Sequence, residues 1–276
     1  MTSSLNQLTD KKSEAQTQKS RLTGQRLDKW WPSLASIVVG VVAWELLGRT
    51  LNFPFFPPLS DIVVAWLEIY QTGELIPELL GSLRSLVIGY ALAVVLGIGL
   101  GMLMGRFRLV EYFFNPFIDI NVSTPTLIYV PILFAIFGVG DATRYTIVFM
   151  YAFFIIVVNT VTGIHGVDPT LVEMARSFGA SEGQLFRKIM LPDALPMIMA
   201  GLRIGMSRAV KGMINGELFI ALVGLGARLR FYSGAFNIEK VLAILLTIIV
   251  VASITTAMVQ WLDRRVTGWA ETVQNR

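Results

Sequence analysis

Residues 168–195 read DPTLVEMARSFGASEGQLFRKIMLPDAL, and this stretch decides the fold. It lies between long apolar runs, yet is itself amphipathic. Asp168 is placed to cap a helix with Pro169 at its first turn, where a missing N–H does no harm. Leu171, Val172, Ala175 and Phe178 then share one face, with Glu173 and Arg176 pointing elsewhere. Gly179 suits the left-handed residue that closes a helix. Ser181 and Gln184 are spaced as a capping box for a second helix, which carries Leu185, Phe186, Ile189 and Met190. Pro192 is expected to stop that helix. Ten helical residues span about 15 Å, half a bilayer, so neither helix is expected to cross. The expectation is a helix–turn–helix knuckle at a membrane surface.

Glu173-Met174-Ala175, Gly179, Ile189, Leu191 and Pro192 match the spacing E-A-A-x3-G-x9-I-x-L-P, with Met174 replacing the commoner small residue. On these residues the chain resembles the membrane permeases of bacterial ABC importers, whose cytoplasmic loop carries that signature. Asn159-Thr160 with Gly163, Gly201-Leu202-Arg203, Glu217 and Gly224-Leu225-Gly226 extend the resemblance over nearly the whole chain after residue 33. They point to the sulfonate, taurine and nitrate branch. The resemblance implies that the knuckle docks on a separate ATPase subunit through Glu173, Ala175, Gly179, Ile189, Leu191 and Pro192. It also implies a second permease subunit, taken as an identical copy, and an extracytoplasmic substrate-binding protein.

Composition agrees with a membrane protein. Of 276 residues, 54% are hydrophobic and 15% charged, and the mean hydropathy is +0.63. Soluble domains carry about 25% charged residues. Zero cysteines remove disulfides, thiolate metal ligands and cysteine nucleophiles. No lysine follows a glycine, which excludes a phosphate loop of the Gly-Lys-Ser/Thr type. If ATP drives the process, another polypeptide binds it, and this chain is expected to hold no cofactor, metal or nucleic acid.

Taken in order, residues 1–32 form a polar, basic tail without the apolar core and cleavage site of a secretory signal. Six spans follow: about 33–50, 79–105, 110–139, 145–163, 196–222 and 240–262. No Lys or Arg lies between Arg49 and Arg84, while Asp61, Glu68, Glu74 and Glu78 are acidic. That contrast with the basic tail predicts residues 51–78 outside, with both termini and the 164–195 loop inside. Arg228 and Arg230, in an outer loop, run against this pattern.

In the second span Gly81, Ser85, Gly89, Ala93, Gly97, Gly101 and Gly105 recur every four residues. A stripe of small residues lets another helix approach closely inside lipid. The third run contains Pro116, Pro125 and Pro131, with Ser123 and Thr124 at mid-run, and predicts an interrupted helix that crosses once. In the fifth span Arg203, Ser207, Lys211 and Asn215 recur every four residues, with Glu217 beyond them. Intramembrane ionisable residues usually face a bundle interior or a wet cavity. Ser123, Thr124, Ser207, Lys211, Asn215 and Glu217 are therefore the candidate substrate pathway. His165, the only histidine, is expected to be an interfacial polar residue.

The sequence thus predicts an all-α, six-span membrane protein, and the resemblance implies a non-catalytic permease of the inner membrane driven by a partner ATPase. The implied cargo is a small anion of sulfonate, nitrate or taurine type; the alternative is another solute, such as an organic acid, amine or vitamin precursor. Two rivals fare worse. A secondary transporter would show paired mid-span carboxylates and an internal repeat, and a membrane-embedded enzyme would need a catalytic constellation.

Overall fold

The computed structural model describes residues 31–51, 53–220 and 223–274. The expected polar tail lies outside them except for Trp31 and Pro32. All regular elements among the described residues are helical. The chain divides into two compact units, residues 1–64 and 65–276.

In the first unit, α1 (Trp31–Leu51) is the first apolar span. Its one carboxylate, Glu45, is not left alone: it takes Arg49 Nε at 2.6 Å and the Ser60 backbone N–H at 3.0 Å. Ser60 lies in the first turn of α2 (Leu59–Gln71), which runs on into the second unit.

The second unit is built on α3 (Leu75–Arg106), α6 (Asp141–His165) and α9 (Leu191–Ile220). The small-residue stripe of α3 faces α6. A Cβ on Gly89 would stand 2.8 Å from Tyr145 O, one on Gly101 2.6 Å from Thr160 Cβ, and one on Gly105 2.8 Å from Ile164 Cβ. The pairs 89 with 148, 97 with 156, 101 with 160 and 105 with 164 rise together, so α3 and α6 run parallel. Against α9 the numbers of α6 fall as those of α9 rise: Gly201 meets Asn159, Gly205 meets Ile156 and Gly216 meets Ile147. Leu86, Ala93, Val148, Ala152, Ile156, Leu202, Ala209 and Met213 fill the seam of the three helices.

Parallel α3 and α6 settle how the intervening chain must travel. It leaves the 105 end and has to re-enter at the opposite end, so residues 107–140 cross back. They do so as α4 (Arg108–Ser123), a 3-10 turn (Thr126–Ile128) and α5 (Tyr129–Phe137), with a 92° bend between the halves. The break falls at Thr124, extended at φ −87° and ψ 133° as the residue before a proline should be. Counting this bent pair as one, the described residues hold six helices long and apolar enough to cross a membrane, the number the sequence predicts.

The knuckle differs from its expectation in one respect. Its first arm is α7 (Pro169–Ser177) and its second begins as α8 (Glu182–Leu185), but Pro192 does not stop the second arm. Residues 182–220 form one continuous rod that passes through a π turn at Phe186–Met190 and into α9. Leu191 N–H reaches back five residues to Phe186 O. A proline clashes with the carbonyl four residues before it. The wider π turn displaces that carbonyl, so the helix continues. The second arm is therefore the root of the fifth crossing rather than a separate surface helix. Beyond α9 come α10 (Leu225–Gly234) and the long α11 (Ile238–Gln274).

Candidate functional site

The knuckle is shaped by local chemistry at each of its corners. Asp168 accepts a hydrogen bond from the Thr170 N–H at 2.8 Å, capping α7 with Pro169 at its first position. At the other end Gly179 N–H bonds Arg176 O at 2.9 Å and Ala180 N–H bonds Ala175 O at 3.0 Å. This is a Schellman closure, and Gly179 holds its left-handed position at φ +81°. Ser181 and Gln184 form the reciprocal capping box, with Ser181 N–H donating to Gln184 Oε1 at 2.8 Å. Arg176 reaches across the turn to Glu182 at 2.9 Å, tying the two arms together.

The knuckle is also fastened to the bundle. Leu185 is buried, while Phe186, Met190 and Leu191 pack on Ile164, Ala194 and Ile198. The guanidinium of Arg106, at the end of α3, lies 5.4 Å from the centre of the Phe186 ring and 3.9 Å from Glu182. His165 sits at the junction beside Glu111, half exposed.

Of the motif residues, Glu173 and Gly179 are exposed and Ala175, Ile189, Leu191 and Pro192 are half-buried. Ile189 and Pro192 line a shallow groove of about 290 Å³ together with Leu171, Met174, Lys188 and Asp193. Phe178, at the tip, is 87% exposed. The knuckle thus presents an apolar tip and groove among charges, Glu173 and Arg176 on one arm and Arg187 and Lys188 on the other.

The pathway candidates are only partly brought together. Ser207 and Lys211 lie on one exposed face of α9 with Arg203, whose Nη1 stands 3.5 Å from Asp263 of α11. Lys211 pairs with no carboxylate among the described residues. Asn215 is half-buried and donates to Tyr151 Oη at 3.0 Å. Ser123 is exposed and Thr124 half-buried at the break between α4 and α5, and Thr124 turns its hydroxyl back onto Ile120 O at 2.7 Å. Glu217 departs from expectation. It is 1% exposed and sealed among Ser82, Arg144 and the Gly226 N–H, so it neither faces solvent nor balances Lys211.

Arg144, which falls between the third and fourth predicted spans, is not among the candidates that the sequence offered. The available signal was Glu217 itself: a carboxylate deep in an apolar bundle demands a cation. Arg228 and Arg230 also find their explanation here. Arg228 stands 3.0 Å from Glu78 and 3.2 Å from Glu74, and Arg230 donates to Leu218 O at 2.9 Å.

Residues 93–268 match the family described as the binding-protein-dependent transport system inner membrane component. The taurine transport system permease TauC of Escherichia coli (strain K12) is 27% identical, over 92% of this chain and 98% of its own length. The riboflavin transport system permease RibX of Chloroflexus aurantiacus is 28% identical, over 87% and 91% respectively. An inward-facing structure of the MetNI methionine ABC transporter shares the fold, with a TM-score of 0.58 at 20% identity over 70% of this chain and 96% of its own. The chain belongs to the binding-protein-dependent transport system inner membrane component family, as an ABC importer permease.

Proposed function

We propose that this chain moves a small anionic solute of sulfonate, taurine or nitrate type across the cytoplasmic membrane, and that it takes its drive through residues 168–195. The exposed knuckle carries this reading. Its helix ends are capped and its root is the α9 rod, yet Phe178 and the groove stay open to solvent among the described residues. A rigid apolar projection of this kind suits a helix-in-groove joint. In this reading Glu173, Ala175, Gly179, Ile189, Leu191 and Pro192 form the joint with the ATPase subunit, which alone binds ATP. A second copy of the chain completes the pathway and an extracytoplasmic binding protein delivers the solute. Both termini and the knuckle are cytoplasmic.

A cargo bearing an anionic group such as a sulfonate is supported by the likeness to a taurine permease and by the exposed cationic face of Arg203, Arg208 and Lys211. A second reading, a vitamin-like solute, is supported by the comparable identity to RibX. Reconstitution with the cognate ATPase and binding protein separates them. ATP-dependent uptake of taurine or nitrate without riboflavin is the expected result. Uptake of riboflavin alone would replace the anion, and a chain that assembles with no ATPase subunit would remove the coupling.

A further inference from the structure

At the end of the second unit away from the knuckle, successive backbone N–H groups converge on side chains of other helices. Gly224 N–H donates to Glu78, Leu225 N–H to Ser82 Oγ at 2.9 Å and Gly226 N–H to Glu217 Oε2 at 3.0 Å. Glu217 also accepts from Ser82 Oγ at 2.8 Å and from Arg144 Nη2 at 3.0 Å, and the same Arg144 nitrogen donates to Gly81 O at 2.9 Å. Arg228 of α10 closes the ring on Glu74 and Glu78. Within this cluster only Arg144 Nε lacks a partner among the described residues.

Successive N–H groups turned to one side make an anion-binding concavity. Here the chain's own carboxylates fill it. Gly224 is left-handed at φ +102°, and a Cβ there would fall on the Glu217 carboxylate; a Cβ on Gly226 would stand 2.6 Å from Glu217 Cβ. Glycine alone permits so close an approach. With Glu217 at 1% and Arg144 at 6% exposure, the loop seals a charge pair that joins α9 to α6. Satisfied polar networks in low dielectric rigidify what they join.

We propose that residues 223–226 are a clamp, held by Glu78, Ser82, Arg144 and Glu217, which fastens the far ends of α3, α6 and α9 into one rigid body. Displacing the knuckle then moves the three helices together rather than splaying them. Arg144 and Glu217 are positioning residues for coupling, acting through the loop and without touching solute. This rests on the importer-permease reading, which is scored first, on assembly of the unmodified chain with its ATPase.

The test uses a disulfide in this cysteine-free chain. A Cβ on Gly81 would stand 3.1 Å from Val223 Cγ1, close to the spacing a disulfide needs. In the assembled complex, oxidised Gly81→Cys/Val223→Cys is expected to hydrolyse ATP within about twofold of its reduced form. Glu217→Ala is expected to lower hydrolysis per assembled complex about tenfold, and the disulfide to restore it to within about twofold. Glu78→Gln, at the rim, is a second variant that should show the same rescue should Glu217→Ala fail to assemble. Arrest by the disulfide, reversed by reductant, would mean that the loop opens in each cycle and would overturn the clamp. So would an assembled variant that the disulfide does not rescue.

Discussion

Gly179 shows how much a single residue carries at the proposed coupling site. At φ +81° it needs no Cβ, and open space surrounds the position a Cβ would take. Any substitution there is therefore strained by backbone alone, by about 1–2 kcal/mol. Gly179→Asp should insert normally and lose most of its co-purifying ATPase subunit, with transport falling in step; Gly179→Asn, which tolerates the left-handed region, should lose less. Such caps were legible in the sequence because they depend on residues two to five positions apart. The Arg144–Glu217 pair was not, because its members are 73 residues apart and only tertiary packing brings them together. Lys211 makes a second prediction. It lies about 12 Å beyond Arg203 along α9, exposed in the single chain. Facing lipid it would cost about 2.5–3.5 kcal/mol, a cost that a wet pathway removes. Lys211→Met should keep expression and ATPase association but slow uptake of an anionic solute, while Lys211→Arg largely retains it. Unchanged uptake by Lys211→Met would take the residue out of the pathway.

Among the elements, the four-residue stripe on α3 was the most readable feature, since inside lipid close packing replaces the hydrophobic effect. The structure supplies an internal control. A Cβ on Gly101 meets Thr160 Cβ at 2.6 Å, whereas one on Gly99 meets nothing within 4 Å. Gly101→Val should lower the unfolding midpoint in detergent, with overpacking costing about 1–3 kcal/mol, and Gly99→Val should leave it nearly unchanged. Equal effects would mean that the stripe is not the contact surface. The fate of Pro192 was the least readable. Proline rules describe an α-helix, and nothing in FRKIMLP declares that the backbone widens to a π turn before it. The broken third span lies between these extremes. Its prolines announced an interruption, but the 92° angle depends on how α4 and α5 pack against α6.

For the whole molecule, the charge contrast sets an orientation that labelling can check. With Ser181→Cys and Thr72→Cys as the only thiols, a membrane-impermeant reagent on intact cells should reach Cys at 72 and not at 181. The spans were readable from hydropathy, because the thickness of the bilayer sets their length. Cargo was not, because in the proposed reading a separate binding protein selects the solute, and such selectivity leaves no trace in this chain. Coupling through the knuckle is the central claim of the proposed function. A photo-reactive residue introduced at Phe178, the most exposed point of the knuckle's apolar tip, measures it at the contact itself. Irradiation of membranes holding the assembled transporter should attach the chain to its ATPase subunit, and prior Gly179→Asp should reduce that product in parallel with transport. A fully active, assembled transporter that yields no crosslink to the ATPase from this position would contradict docking through residues 168–195.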